Sequence, residues 1–130
     1  MIVLDASAAL EILRRGPAED TLVQRLFARD ETLHAPHLID LEIAQVLRRL
    51  VLSGQLTESA GAAALDVWRG FPVRRHGHET LMPRVWSLRT TMTAYDAAYV
   101  ALAEALGAVL LTKDAKLART PGHRVNVEVI

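Results

Sequence analysis

The feature that most constrains this chain is its alternation of short apolar runs with longer stretches of helical period. Ile2-Val3-Leu4 is a brief run bounded by Asp5, and Ala108-Val109-Leu110-Leu111-Thr112 is a second run placed behind Gly107. Apolar runs without polar alternation belong to strands buried on both faces, as in a parallel sheet covered by helices. Between the runs the period changes. SAALEILRR reads as a helix, and Pro17 suits the first turn of a second helix with Leu22, Leu26 and Phe27 on one stripe. Thr32 to Ala35 reads as a short strand before Pro36. Over 37–53 the residues Ile39, Ile43, Val46, Leu47 and Leu50 share one helical face, and Gly54 stands where a C-cap belongs. Thr57 and Glu58 open an alanine-rich helix to about Trp68, Phe71-Pro72-Val73 reads as an edge segment, and Arg74 to His78 as a turn. Helices resume around Glu79 to Leu88, Thr93 begins a long helix that Gly107 stops, and a short helix and a strand from Arg124 to Val129 complete the pattern. The expected fold class is α/β, in three layers around a small, mainly parallel sheet, with 1–130 as a single domain.

Charge and composition narrow the function classes. Fifteen Lys and Arg balance fifteen Asp and Glu, so any polyanion must be held by local patches rather than by net charge. The absence of cysteine excludes a disulfide framework, a thiolate nucleophile and a Cys-based zinc site, and fits a reducing compartment. No apolar run approaches the roughly 20 residues that span a bilayer, and the first residues lack the basic stretch of a signal peptide. The expectation is a cytoplasmic protein with no membrane partner.

In parallel sheets covered by helices, ligands bind outside the carboxyl ends of the strands. Asp5 and Asp114 follow the two apolar runs there, and each also suits the cap of the helix behind it. Asp96 completes a Thr93-x-x-Asp96 capping pattern. The helix over 37–53 offers Asp40 and Glu42 on opposite edges of its apolar stripe. The helix dipole accounts for Asp40 in the first turn, which tilts the choice towards Glu42 without closing it. Taken jointly, such acids offer what no cap supplies. Carboxylates crowded at a sheet edge repel one another until a hard cation such as Mg²⁺ or Mn²⁺ arrives, and that ion can activate water against a phosphodiester. His76-Gly77-His78 lacks a third ligand nearby and reads as a polar turn.

The segments IVLDASAAL, LEIAQVLRRLVLSGQLT and TAYDAAYVALAEALGAVLLTKDAKLA, in that order, resemble the PIN domain, and within it the VapC toxins. The resemblance covers nearly the whole chain. It implies a PIN-like α/β/α sandwich, endoribonuclease activity with Mg²⁺ or Mn²⁺, and an acidic quartet of Asp5, Glu42, Asp96 and Asp114. Ser7 and Thr112 would support that quartet as hydroxyl neighbours. It also implies a homodimer and a VapB-type antitoxin whose tail covers the site, with a groove expected beside Leu10, Leu13, Leu22 and Phe27. For an RNA substrate, Arg14, Arg48, Arg49 and Lys113 adjoin the acidic elements and are the expected phosphate contacts. Three readings compete: a metal-free ribonuclease using histidine as acid and base, a phosphoacceptor signalling domain, and a PIN fold that only binds.

Overall fold

A computed structural model describes residues 1–28 and 30–130. Its centre is a five-stranded sheet in the order β3-β2-β1-β4-β5, built from β1 (Ile2–Leu4), β2 (Leu33–Pro36), β3 (Val73–His76), β4 (Val109–Thr112) and β5 (Val127–Val129). Every pairing is parallel, with Ile2 opposite Leu33 on one side and Val109 on the other. All carboxyl ends therefore share one rim. The central strands are mostly apolar because both faces are covered: Ile2, Val3, Leu4, Leu110 and Leu111 are buried, and His34 and Thr112 are the buried polar members.

Seven helices cover the sheet among the described residues: α1 (Ala6–Leu13), α2 (Glu19–Phe27), α3 (Leu38–Leu52), α4 (Glu58–Arg69), α5 (Met82–Ser87), α6 (Ala94–Leu106) and α7 (Ala115–Arg119). Helices α1, α2, α3 and α4 pack among themselves, while α6 packs on α5 and on β1, β2 and β4. Ile39, Ile43, Leu47 and Leu50 of α3 are buried as their spacing predicts, and Val46 packs half-buried beside them. The glycines at the helix ends do what their placement suggests. Gly107 closes α6 at φ 60° and Gly54 follows α3 at φ 78°, backbone values that a side chain would strain.

Several boundaries differ from expectation for local reasons. Pro17 lies ahead of α2, whose N-cap is Ala18, because Gly16 and Arg15 (φ 51°) make a tight turn first. Phe71 and Pro72 precede the edge strand instead of forming it; the strand is Val73–His76, so the polar stretch expected as a turn is itself paired with β2. β5 is limited to Val127–Val129, and a short 3-10 turn, Glu79–Leu81, precedes α5. Leu10 and Leu22 are buried and Leu13 packs partly buried on the core, leaving Phe27 the exposed member of that set. Of the four residues expected beside a groove, the three leucines thus face the core and Phe27 alone stands exposed, lining a cleft with Leu33, Pro72 and Val73.

Candidate active site

Three of the four expected acids stand directly at the rim of carboxyl ends, and the fourth is one turn inside α3. Asp5 follows β1 at the N-cap position of α1, yet its side chain makes no capping bond. Its Oδ2 instead accepts the hydroxyls of Ser7 (2.8 Å) and Thr112 (2.6 Å). Both hydroxyls are themselves fixed, since Ser7 Oγ accepts the Lys113 N–H and Thr112 Oγ1 accepts the Asp114 N–H. The ends of β1 and β4 are thus stitched together around Asp5, which is where Ser7 and Thr112 were expected to act. Asp114 caps α7, with Oδ1 accepting the Lys116 N–H at 2.9 Å. Asp96 sits in the first turn of α6, whose N-cap Thr93 accepts the Asp96 N–H.

The structure gives Asp40 and Glu42 different partners; helical position alone left the choice between them open, and the resemblance made it for Glu42. Asp40 Oδ1 accepts the indole N–H of buried Trp68 at 2.7 Å, and Arg75 Nε reaches both carboxylate oxygens at 2.9 Å. It clamps α3 to α4 and β3. Glu42 turns the other way, its Oε1 accepting the hydroxyl of Tyr99 at 2.6 Å. Tyr99 is buried on α6 one turn after Asp96, so a single helix delivers an acid and a donor to the same rim. Sequence reasoning missed Tyr99; its place one turn beyond Asp96 on a helix that is apolar all round was the available signal.

These carboxylates sense one another. Burial pushes the Glu42 carboxyl above its usual range, the Tyr99 hydroxyl opposes this, and the charges of Asp5 and Asp96 add to the rise. Asp96 is likewise raised, first by burial and then by Asp5 and Asp114. Glu42 thus feels Asp5 and Asp96, and Asp96 feels Asp5 and Asp114, a chain of couplings that links the four acids as a row. Tyr99 is held protonated by burial and by its bond to Glu42. Among the described residues no group of three or more acids or histidines converges tightly enough, as the side chains stand, to cage a metal ion. The row is all oxygen and carries unrelieved repulsion, which suits a hard divalent cation by charge and donor type.

Of the expected phosphate contacts, Lys113 is committed elsewhere, its ammonium paired with nearly buried Glu11, whose Oε1 also accepts the Ala18 N–H. Arg14, Arg48 and Arg49 are exposed. The histidines lie off the row. His34 is buried and hydrogen-bonded to Thr32 and His76, and His78 Nε2 accepts the Leu38 N–H at the start of α3.

A wholly parallel sheet between helical layers, with an acidic row on its carboxyl rim, defines a class that comparison identifies. The sequence matches the PIN domain family over residues 2–123. Ribonuclease VapC9 of Mycobacterium tuberculosis is 44% identical over 130 residues, covering 100% of this chain and 98% of that protein. Ribonuclease VapC12 of the same organism is 40% identical, covering 100% and 99%. The fold is similar to VapBC2 from Rickettsia felis, solved bound to a DNA fragment from its promoter (TM-score 0.73, 17% identity, 99% and 98% of the two chains). It is similar too to VapC20 of Mycobacterium tuberculosis, described as a Sarcin-Ricin loop cleaving toxin (TM-score 0.70, 18% identity, 92% and 94%). The chain belongs to the PIN domain family, in its VapC branch.

Proposed function

We propose that this chain is an endoribonuclease that hydrolyses RNA phosphodiesters at the row Asp5, Glu42, Asp96 and Asp114 with Mg²⁺ or Mn²⁺, and that it is the toxin of a VapBC-type pair. The observation that carries the chemistry is the electrostatic coupling of acids from four separate elements at one rim. The toxin assignment rests on full-length relatives named VapC ribonucleases. A divalent ion held by the row would relieve its repulsion, lower the pKa of a bound water and neutralise phosphate charge. The chain's own groups prepare that state. Ser7 and Thr112 fix the orientation of Asp5, and the Tyr99 hydroxyl fixes that of Glu42. A cytoplasmic homodimer inhibited by a VapB-type antitoxin, and a single domain over 1–130, belong to the same reading; among the described residues no helix is long and apolar enough to cross a membrane.

The metal-free alternative requires two histidines free to exchange protons with substrate, whereas His34 and His76 are bonded to each other and His78 to backbone. The test is cleavage of RNA by the purified chain with Mg²⁺, with Mn²⁺ and with chelator, followed by analysis of product ends. The proposal expects cleavage only with metal and 5′-phosphate products; cyclic phosphates formed in chelator would overturn it.

A further inference from the structure

Two clefts are lined by cations, one further along the helix that carries Glu42 and one beside Asp114. The first, of about 370 Å³, lies between α1 and α3 and is lined by Arg14, Val46, Arg49, Leu50, Ser53 and Gln55. Glu42, Val46, Arg49 and Ser53 recur at helical spacing on one face of α3, so this cleft continues the face that carries Glu42, roughly 10 Å further along the axis at Arg49. The second, of about 430 Å³, is lined by Thr90, Thr91, Lys116, Arg119, Thr120 and Pro121. It adjoins the other end of the row, since Lys116 follows Asp114 by two residues and donates its backbone N–H to that carboxylate. Thr90 and Thr91 lead into Thr93, the cap of α6.

Of the cations in these clefts, Arg14 lies near enough to Glu11 for its charge to help hold that carboxyl below the usual range. Among the described residues Arg14, Arg49, Lys116 and Arg119 make no direct ion pair, a state they share with most of the chain's cations, Arg25, Arg69, Arg75, Arg84 and Lys113 being the paired ones.

We infer that the two clefts are phosphate subsites for one single-stranded RNA, whose backbone enters over Arg14 and Arg49, crosses the carboxylate row and leaves over Lys116 and Arg119. The inference rests on the ribonuclease reading and specifies how its substrate lies. Charge complementarity selects the occupant. Both clefts carry guanidinium or ammonium groups that can hold phosphate oxygens, the hydroxyls of Ser53, Thr91 and Thr120 being spent on backbone carbonyls, and neither carries an aromatic platform for a base. These groups meet the backbone, so they position the strand without reading its sequence. Cleavage preference must then arise elsewhere on the surface.

The experiment pairs Arg14→Gln with Arg49→Gln, and Lys116→Gln with Arg119→Gln, against a control of Arg69→Gln with Arg89→Gln on α4 and beyond α5. Binding of a fluorescein-labelled single-stranded RNA is followed by anisotropy in chelator across a salt series, and cleavage is followed with Mg²⁺. Each cleft pair is expected to weaken binding about tenfold or more at low salt and to flatten the log K against log salt slope by about 0.7 for each phosphate no longer neutralised. The effect should fall on KM, and the control should match wild type. If wild type cleaves RNA while the cleft pairs retain its affinity and salt slope, or weaken no more than the control, the strand path is overturned and the nuclease reading stands. If wild type neither binds nor cleaves RNA, both fall.

Discussion

Asp40 and Glu42 stand two residues apart on one helix and are assigned opposite roles, which makes them a sharp test. Truncating Asp40 to Ala leaves the indole N–H of Trp68 without an acceptor inside the protein, where Trp68 is only 1% exposed. A buried donor so orphaned costs about 1–3 kcal/mol. The ion pair with Arg75 is lost as well, but its side chains are 27% and 44% exposed, which limits that part to under about 1 kcal/mol. Asp40→Ala should therefore lower unfolding free energy by about 2–3 kcal/mol in urea denaturation. Asp40→Asn, which keeps an oxygen for Trp68, should lose less than about 1 kcal/mol. Both should retain RNA cleavage under conditions where they are folded. Glu42→Gln should do the reverse. It preserves an acceptor for Tyr99, removes a charge that burial and neighbouring acids oppose, and so leaves the metal-free protein equally or more stable while abolishing cleavage. An Asp40→Ala protein that is stable but inactive, or a Glu42→Gln protein that is active, would refute the division of labour.

Other substitutions probe the row and the turn beside it. Asp96→Asn should stabilise the metal-free protein by about 0.5–2 kcal/mol and shrink the rise in melting temperature caused by Mg²⁺, whereas a purely capping Asp96 would give mild destabilisation and an unchanged metal shift in the same melts. The folded-state pKa values of Glu42 and Asp96 lie above their ordinary values, so the folded chain binds protons more readily than the unfolded chain there, and this penalty is full above the folded pKa values and fades as pH falls through them. Chemical denaturation of the metal-free protein should accordingly show the double variant Glu42→Gln, Asp96→Asn exceeding wild type most near neutral pH, with the gap closing in acid; a gap that widens in acid would contradict the raised values. Gly16→Ala should destabilise by more than about 1 kcal/mol, because the added Cβ would overlap the Glu11 carboxylate that holds Lys113 and the Ala18 amide, and a melting point matching wild type would show that this turn can yield.

What the sequence discloses tracks how local the deciding physics is. α3 and α6 are legible because their apolar spacing and terminal glycines lie within a single segment, and β1 and β4 because double burial leaves them almost wholly apolar, Thr112 at the rim being the exception. β3 is harder to read because an edge strand is paired on one side only, so Arg74, Arg75 and His76 can occupy it, and it looks like a turn. Its His76 finds a partner in His34 across the sheet, which no local pattern announces. The acids Asp5, Asp96 and Asp114 are legible from strand ends and a helix start. The choice of Glu42 over Asp40 is not settled by the helix itself, because it depends on Trp68, Arg75 and Tyr99, which arrive from 28 to 57 residues away along the chain. Lys113 misleads for the same reason: adjacency to Asp114 suggests a free cation, while Glu11 from α1 claims it.

Because the sheet is wholly parallel, α1 and α3 begin directly where β1 and β2 end at the carboxyl rim, and the first turn of α6 brings Asp96 to electrostatic contact with Asp5 there. Their amino ends carry partial positive charge, worth about 0.3–1 kcal/mol apiece to a nearby anion. The backbone at this rim is therefore electropositive where its side chains are electronegative. Such a rim offers carboxylates to a cation and helix ends to an anion, whereas a surface of either sign alone would repel one of them.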